Sequence, residues 1–213
     1  NVVNLWDVVD QFGADALRWH LYTMNQPGES KNFDEAGVNE VVKKQLLILW
    51  NVVVFFKTFA KDGMPKEKIV SNHLMDHWIT ARTHELVENV TDSLDNYQIT
   101  EAGRKIEGFI QDLSTWYIRR SRNRFKQPKD SEDRMAALET LADVLITLTK
   151  VLAPFMPFIA ETLYQNLKTV FGKYEYDWKE SVHLEDWPKQ DKSPVDQRLI
   201  EEMKRVRDIA ELA

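Results

Sequence analysis

Between positions 113 and 129 the chain carries Arg119, Arg120, Arg122, Arg124, Lys126 and Lys129, with no acidic residue among them. The 213-residue chain has 28 Lys+Arg against 34 Asp+Glu, a formal charge of -6. This window at +6 therefore leaves the remainder at -12. A basic island in an acidic protein repels itself unless a partner neutralises it. Four of the six are Arg, whose planar fork matches phosphate oxygens and whose face stacks on bases. Trp116, Tyr117 and Phe125 are interleaved with them, which suits nucleobases better than acidic side chains. The chemistry these residue types support is the gripping of a polyanion. The competing reading is that Arg120 and Arg124 pair with acids on a neighbouring helix, and for each of these two taken singly both readings stay open.

No other residue set offers comparable chemistry. His73 and His77 are four apart, yet nothing nearby completes a metal site, and His84-Glu85 lacks the second histidine of a zinc protease motif. Glu201-Glu202 and Glu132-Asp133 read as solvated helix faces without a converging acid and base. Gly28, Gly37, Gly63, Gly103 and Gly108 stand alone, so no phosphate loop is present. With no Cys, thiolate sites and disulfides are excluded, and a reducing compartment such as the cytoplasm fits. Neither a catalytic residue nor a metal ligand is assigned. Trp6, Trp19, Trp50, Trp78 and Trp116 read as packing residues, and Trp178 and Trp187 as clamps on an extended stretch.

The elements that must present the basic window are helical. Apolar periodicity predicts two short helices within residues 1–24, with Gly13 ending the first and Asp15 opening the second. Longer helices are expected over 34–60, 72–94 and 99–125, and a fourth opens at Ser131 as cap. Pro154 and Pro157 break the chain before a fifth helix through Ile159, Leu163 and Leu167. A last helix is expected from Ser193-Pro194, with Val195, Leu199, Met203, Val206, Ile209 and Ala213 as its apolar face. The sum is an all-α, antiparallel helix bundle with an N-terminal helical connector and a C-terminal helix. No apolar run is long enough to span a membrane.

Within the third long helix, Ile106, Phe109, Ile110, Leu113, Trp116 and Tyr117 form the expected buried stripe. Its continuation passes through Arg120 and Arg124, and places Arg119, Arg122 and Lys126 on the solvated side. The bundle core is therefore expected to stop near Tyr117, with the last two turns projecting beyond it.

Five blocks occur in order: GADALRW at 13–19, LILWN at 47–51, WYIRRSRNRF at 116–125, LAPFMPF at 152–158 and SVHLEDWP at 181–188. On these blocks the chain resembles the C-terminal half of the isoleucyl-tRNA synthetases, over about residues 1–188. Valyl and leucyl enzymes share the fold and the Pro154 turn; the 116–125 and 181–188 blocks favour the isoleucyl family. A helical protein-interaction module with a basic docking helix is the alternative from another class. The resemblance implies a stem-contact connector over 1–34, an anticodon-binding bundle over 35–190 and the start of a junction helix over 191–213. It also implies an RNA-contacting set of Trp116, Arg119, Arg120, Arg122, Arg124, Phe125 and Lys126. The expected partners are the anticodon stem-loop of tRNA(Ile) and the rest of the synthetase chain, with a monomeric state. The family's HIGH and KMSKS signatures are absent. The chain is accordingly expected to be an inactive fragment that starts after the second signature, without catalytic, editing or zinc modules. ATP and Mg would serve the parent enzyme and not this fragment.

Overall fold

The computed structural model describes residues 3–26, 28–30, 33–61, 63–64, 69–128, 130–171, 176–189 and 195–212, and among them eight helices and no strand are found. They are α1 (Leu5–Phe12), α2 (Ala14–Thr23), α3 (residues 35–60), α4 (Leu74–Asp95), α5 (residues 99–126), α6 (Ser131–Leu152), α7 (Pro157–Phe171) and α8 (Gln197–Glu211). Helices α3 and α5 are continuous but each contains a π-helical segment, Val42–Leu46 and Asp112–Ile118.

Short polar side chains start most of these helices by accepting from otherwise unpaired amides. Asn4 accepts from the Trp6 N–H at 3.1 Å, Asp34 from Ala36 at 2.7 Å, and Asp130 from Glu132 at 3.0 Å. The cap of α6 is thus Asp130, one residue before the expected Ser131. His73 caps α4 through Nδ1, which accepts from the Met75 N–H at 3.2 Å. Asp196 caps α8 by accepting from Leu199 N–H at 3.0 Å; the expected Ser193-Pro194 start lies outside the described residues, as do Lys129 and Ala213.

Helix α4 packs between α5 and α6, and α6 packs against α7 and the end of α5. Trp19, Phe56, Trp78, Phe109, Tyr117 and Tyr164 are among the largest fully buried side chains. They belong to one hydrophobic core, which also takes in Val8 and Ala16 from the N-terminal helices. Close approach needs small residues: a Cβ on Gly103 of α5 would lie 2.6 Å from Thr23 Cγ2 on α2.

The turn between α6 and α7 is clamped from the N-terminal helices. Asp15 does not open its own helix as expected. It is buried, and its carboxylate accepts from the Phe158 and Ile159 amides at 3.4 and 2.6 Å, so it caps α7 instead. Burial raises the Asp15 carboxyl above its usual range, and those amide bonds only partly offset this. Arg18 donates to the Phe155 and Pro154 carbonyls at 3.2 and 3.1 Å, and Trp19 meets Phe155 edge-on at 5.9 Å.

The segment 176–189 is strapped onto the bundle in the same manner. Glu161 accepts from Ser181 Oγ at 2.8 Å and the Val182 amide at 2.9 Å. Lys150 pairs with Glu185 at 2.9 Å, and Trp187 Nε1 donates to Thr91 at 2.9 Å. Trp178 packs against Tyr164 at 4.9 Å, so both tryptophans clamp the segment.

Candidate nucleic-acid interface

The basic window occupies the end of α5, and its charges are neutralised unequally. The helix does not leave the core at Tyr117. Tyr117, Ser121 and Phe125, spaced by four, are all buried, and they carry the apolar stripe to the last turn. Phe125 is 1 % exposed and sits against Phe55 and Phe59 with ring centroids 5.2 and 6.1 Å apart. This corrects two expectations: the last two turns do not project past the core, and Phe125 is not a stacking surface. The signal was present in the sequence as Phe125 eight residues after Tyr117, but the surrounding charge masked it.

Arg124 is likewise turned inward. Its Nη1 and Nη2 donate to the two Asp76 carboxylate oxygens at 2.7 and 2.8 Å. On its other edge, Nε and Nη2 donate to Asp133 at 2.9 and 2.6 Å. Tyr117 Oη and Ser71 Oγ complete the cluster by donating to Asp76 at 2.8 and 2.6 Å. Burial opposes the charge on Arg124, but the bonds to Asp76 and Asp133 outweigh it and hold the guanidinium more firmly protonated than usual. The same bond from Arg124 holds the Asp133 carboxyl below its ordinary range. Arg124 therefore leaves the RNA-contacting set. It joins α4, α5 and α6, and its fork has no free edge.

The other cations face out. Arg119, Arg120, Arg122 and Lys126 are exposed, and none makes an ion pair among the described residues. Arg120 does not follow the buried stripe to an acidic partner; its guanidinium lies 4.4 Å from the Trp116 ring centroid. Within the π-helical segment Trp116 sits half-buried at the rim, and its Nε1 donates to Met203 Sδ on α8 at 3.1 Å. A π turn takes one residue more than an α turn, so a strict 3.6-residue projection through residues 112–118 misplaces the side chains of the last two turns.

Two depressions flank this face and share Thr115 and Arg119. One, of about 450 Å³, is lined by Val52, Phe55, Ile118 and Arg122 from α3 and α5. The other, of about 560 Å³, is lined by Trp116, Arg120, Arg207 and Ala210 from α5 and α8. A larger cleft, of about 670 Å³, lies elsewhere, among α4, α6 and α8. It is lined by Glu139, Asp143, Asp196 and Glu202, the wrong sign for a polyanion. No cluster of three or more metal-ligating side chains occurs among the described residues, and no described helix is long and apolar enough to cross a membrane.

Sequence reasoning missed Arg207. The expected apolar face of α8 included Val206 and Ile209, but both are exposed at 52 % and 68 %. Arg207 instead turns to the bundle, pairs with the buried Asp112, and lies 5.7 Å from the Trp116 ring centroid. Arg82 holds Asp112 from α4 at 2.9 Å. The cause is a buried carboxylate at the π turn that requires cations, and no periodicity in α8 reports it.

Comparison with known proteins agrees with this architecture. An isoleucine--tRNA ligase of Dehalococcoides mccartyi (strain CBDB1) is 42 % identical over 216 residues, covering all of this chain and 21 % of the relative. That of Thermus thermophilus is 41 % identical over 221 residues with the same coverage. The chain thus spans about a fifth of the length of the curated relatives it matches. Among solved structures, a leucyl-tRNA synthetase of Agrobacterium radiobacter K84, in a ternary complex with tRNA and LeuAMS, superposes with a TM-score of 0.67 at 20 % identity. It covers 94 % of this chain and 22 % of that one. A Mycobacterium tuberculosis methionyl-tRNA synthetase with methionyl-adenylate gives 0.64 over 79 % of this chain and 34 % of that one, also at 20 % identity. At that identity the two likenesses concern the fold. Residues 76–213 match the family model described as the anticodon-binding domain of tRNA ligase, and the chain belongs to that family.

Proposed function

We propose that this chain is the part of an isoleucine--tRNA ligase that holds the anticodon stem-loop of tRNA(Ile). The observation that carries the reading is the outer face of α5: Arg119, Arg120, Arg122 and Lys126 meet no acid among the described residues, and Arg120 lies against the half-buried Trp116. Guanidinium forks at such a face donate to phosphate oxygens and fix the register of the strand. Trp116, with Arg120 already against it, offers a plane for one unstacked base. The apolar depression bordered by Arg119 and Arg122 admits a second. Arg124 and Phe125 act indirectly, because they anchor the last turns and so set the pitch of the outer face.

In the whole enzyme this grip would orient the tRNA so that its far acceptor end meets the catalytic domain. The activation of isoleucine, with ATP and Mg²⁺, would belong to the rest of that enzyme, working as a monomer in the cytoplasm. The connector α1–α2 would contact the stem.

The test is binding of this chain to synthetic hairpins carrying the isoleucine or the valine anticodon, measured across salt concentrations. Affinity should fall with salt at a log–log slope of about 0.7 per neutralised phosphate, and the isoleucine hairpin should bind more tightly. A salt-independent response, or equal affinity for an unrelated hairpin, would sink the reading.

A further inference from the structure

The cleft between α5 and α8 has features that the exposed face of α5 lacks. Its wall carries Arg119 and Arg120 from α5 and Arg207 from α8, around Trp116. Two guanidiniums are drawn to one indole, Arg120 at 4.4 Å and Arg207 at 5.7 Å. The ring cannot turn freely, because its N–H is committed to Met203 Sδ. The charge count beneath is also informative. Asp112 and Glu85 neutralise Arg82 and Arg207 as a group of four. Nothing among the described residues offsets Arg119 or Arg120. The cleft therefore holds a net cationic excess at a fixed aromatic plane, in a space of about 560 Å³, within the usual range for a small ligand. Like charges so placed repel until an anion enters.

We infer that this cleft is a nucleotide subsite completed by α8, in which Arg119, Arg120 and Arg207 take one phosphodiester of the RNA strand against Trp116. The inference rests on the RNA-holding reading above and adds to it a second structural element. Helix α8 is then part of the binding surface. Its docking through Met203 and Arg207 brings the third guanidinium to the site and fixes the indole. Arg207 has two tasks, neutralising Asp112 and facing the cleft, and the experiment must separate them.

Ala210 provides the means. It lines the same cleft, is exposed, and takes no part in the Asp112 cluster. Ala210→Glu places a carboxylate where the phosphate would lie and leaves the Arg207–Asp112 pair intact. Affinity for the isoleucine-anticodon hairpin is measured for the parent chain, Ala210→Glu, Arg207→Gln and Arg119→Ala, together with thermal melting of each. The expected result is a loss of about tenfold or more for Ala210→Glu with melting unchanged, and a loss for Arg207→Gln. Should Arg207→Gln weaken binding while Ala210→Glu does not, Arg207 is only a structural partner of Asp112 and the inference fails. Should both bind as the parent does while Arg119→Ala is weakened, the cleft is unused and the outer-face reading survives alone. Indifference of all variants, Arg119→Ala included, would overturn both.

Discussion

Two regions of this molecule are rich in charged motif residues and use them in opposite ways. At the α6–α7 turn every charge is spent inside the protein: Asp15 caps α7, and Arg18 binds the carbonyls of Pro154 and Phe155. On the outer face of α5, Arg119, Arg122 and Lys126 have no acid to meet among the described residues. Both regions contain blocks that carry the resemblance to the isoleucyl-tRNA synthetases. A motif residue is therefore read as structural or as ligand-facing from what neutralises it. Arg124 sharpens the point, since it belongs to the basic block by sequence and to the clamped class by geometry.

Removing Arg124 should have the largest effect on the fold. Asp76 is 1 % exposed, so Arg124→Ala strands a buried carboxylate that keeps, among the described residues, Tyr117 and Ser71 as donors. The expected loss is about 3–5 kcal/mol of unfolding free energy, read by chemical denaturation. A loss below about 1 kcal/mol would place Arg124 with the outward residues after all.

The clamp should come next. Asp15→Ala removes a helix cap and should cost about 1–2 kcal/mol. Asp15→Asn should cost less, because it keeps an acceptor and removes the charge whose burial raises the Asp15 carboxyl. Asp15 is buried against α7 and is not on the surface of α2 that would meet a stem, so hairpin affinity per folded molecule should be unchanged in both. If affinity fell without unfolding, the clamp would share in binding and the contrast between the regions would dissolve.

The outward residues should show the reverse pattern. Arg119→Ala and Arg122→Ala are expected to change stability by no more than about 0.5 kcal/mol. Each should lower the salt slope of hairpin binding by about 0.7. Arg120→Ala loses its contact with Trp116, worth about 0.5–1 kcal/mol, and should combine a small destabilisation with weaker binding.

Much of the helical frame was legible because its signals are local. Periodicity, the prolines at 154 and 157 and the run of cap residues lie within a turn or two of what they control. The partners of the basic window were not local. Asp76 lies 48 residues before Arg124, and Asp112 lies 95 before Arg207, so only the tertiary fold decides which guanidinium is satisfied. The π segment at Asp112–Ile118 added a phase error to the projection. Phe125 was readable in principle, since a large apolar residue at the stripe's spacing is more often core than ligand-facing. Its arginine neighbours obscured that rule.

The smallest expected effect concerns pH, and it again separates the inward from the outward arginines at the end of α5. Asp133 is held below the ordinary carboxylate range by its bond from Arg124. A carboxyl with a lowered pKa in the folded protein adds stability that is complete above its unfolded value, about 3.9. That stability is lost as pH falls through the lower, folded value. Asp133 is partly exposed and Asp76 continues to hold Arg124, so its protonation should loosen the α5–α6 tether without releasing it. Melting temperature tracked from pH 6 down to pH 2 should therefore decline less steeply in Asp133→Asn than in the parent, starting from a lower plateau. The outward guanidiniums have no such carboxylate to lose, so Arg119→Ala should leave the acid limb of that curve where the parent has it. An Arg119→Ala curve shifted like that of Asp133→Asn would mean that the outer face is tied to an internal acid, and the contrast drawn between the two regions would be wrong.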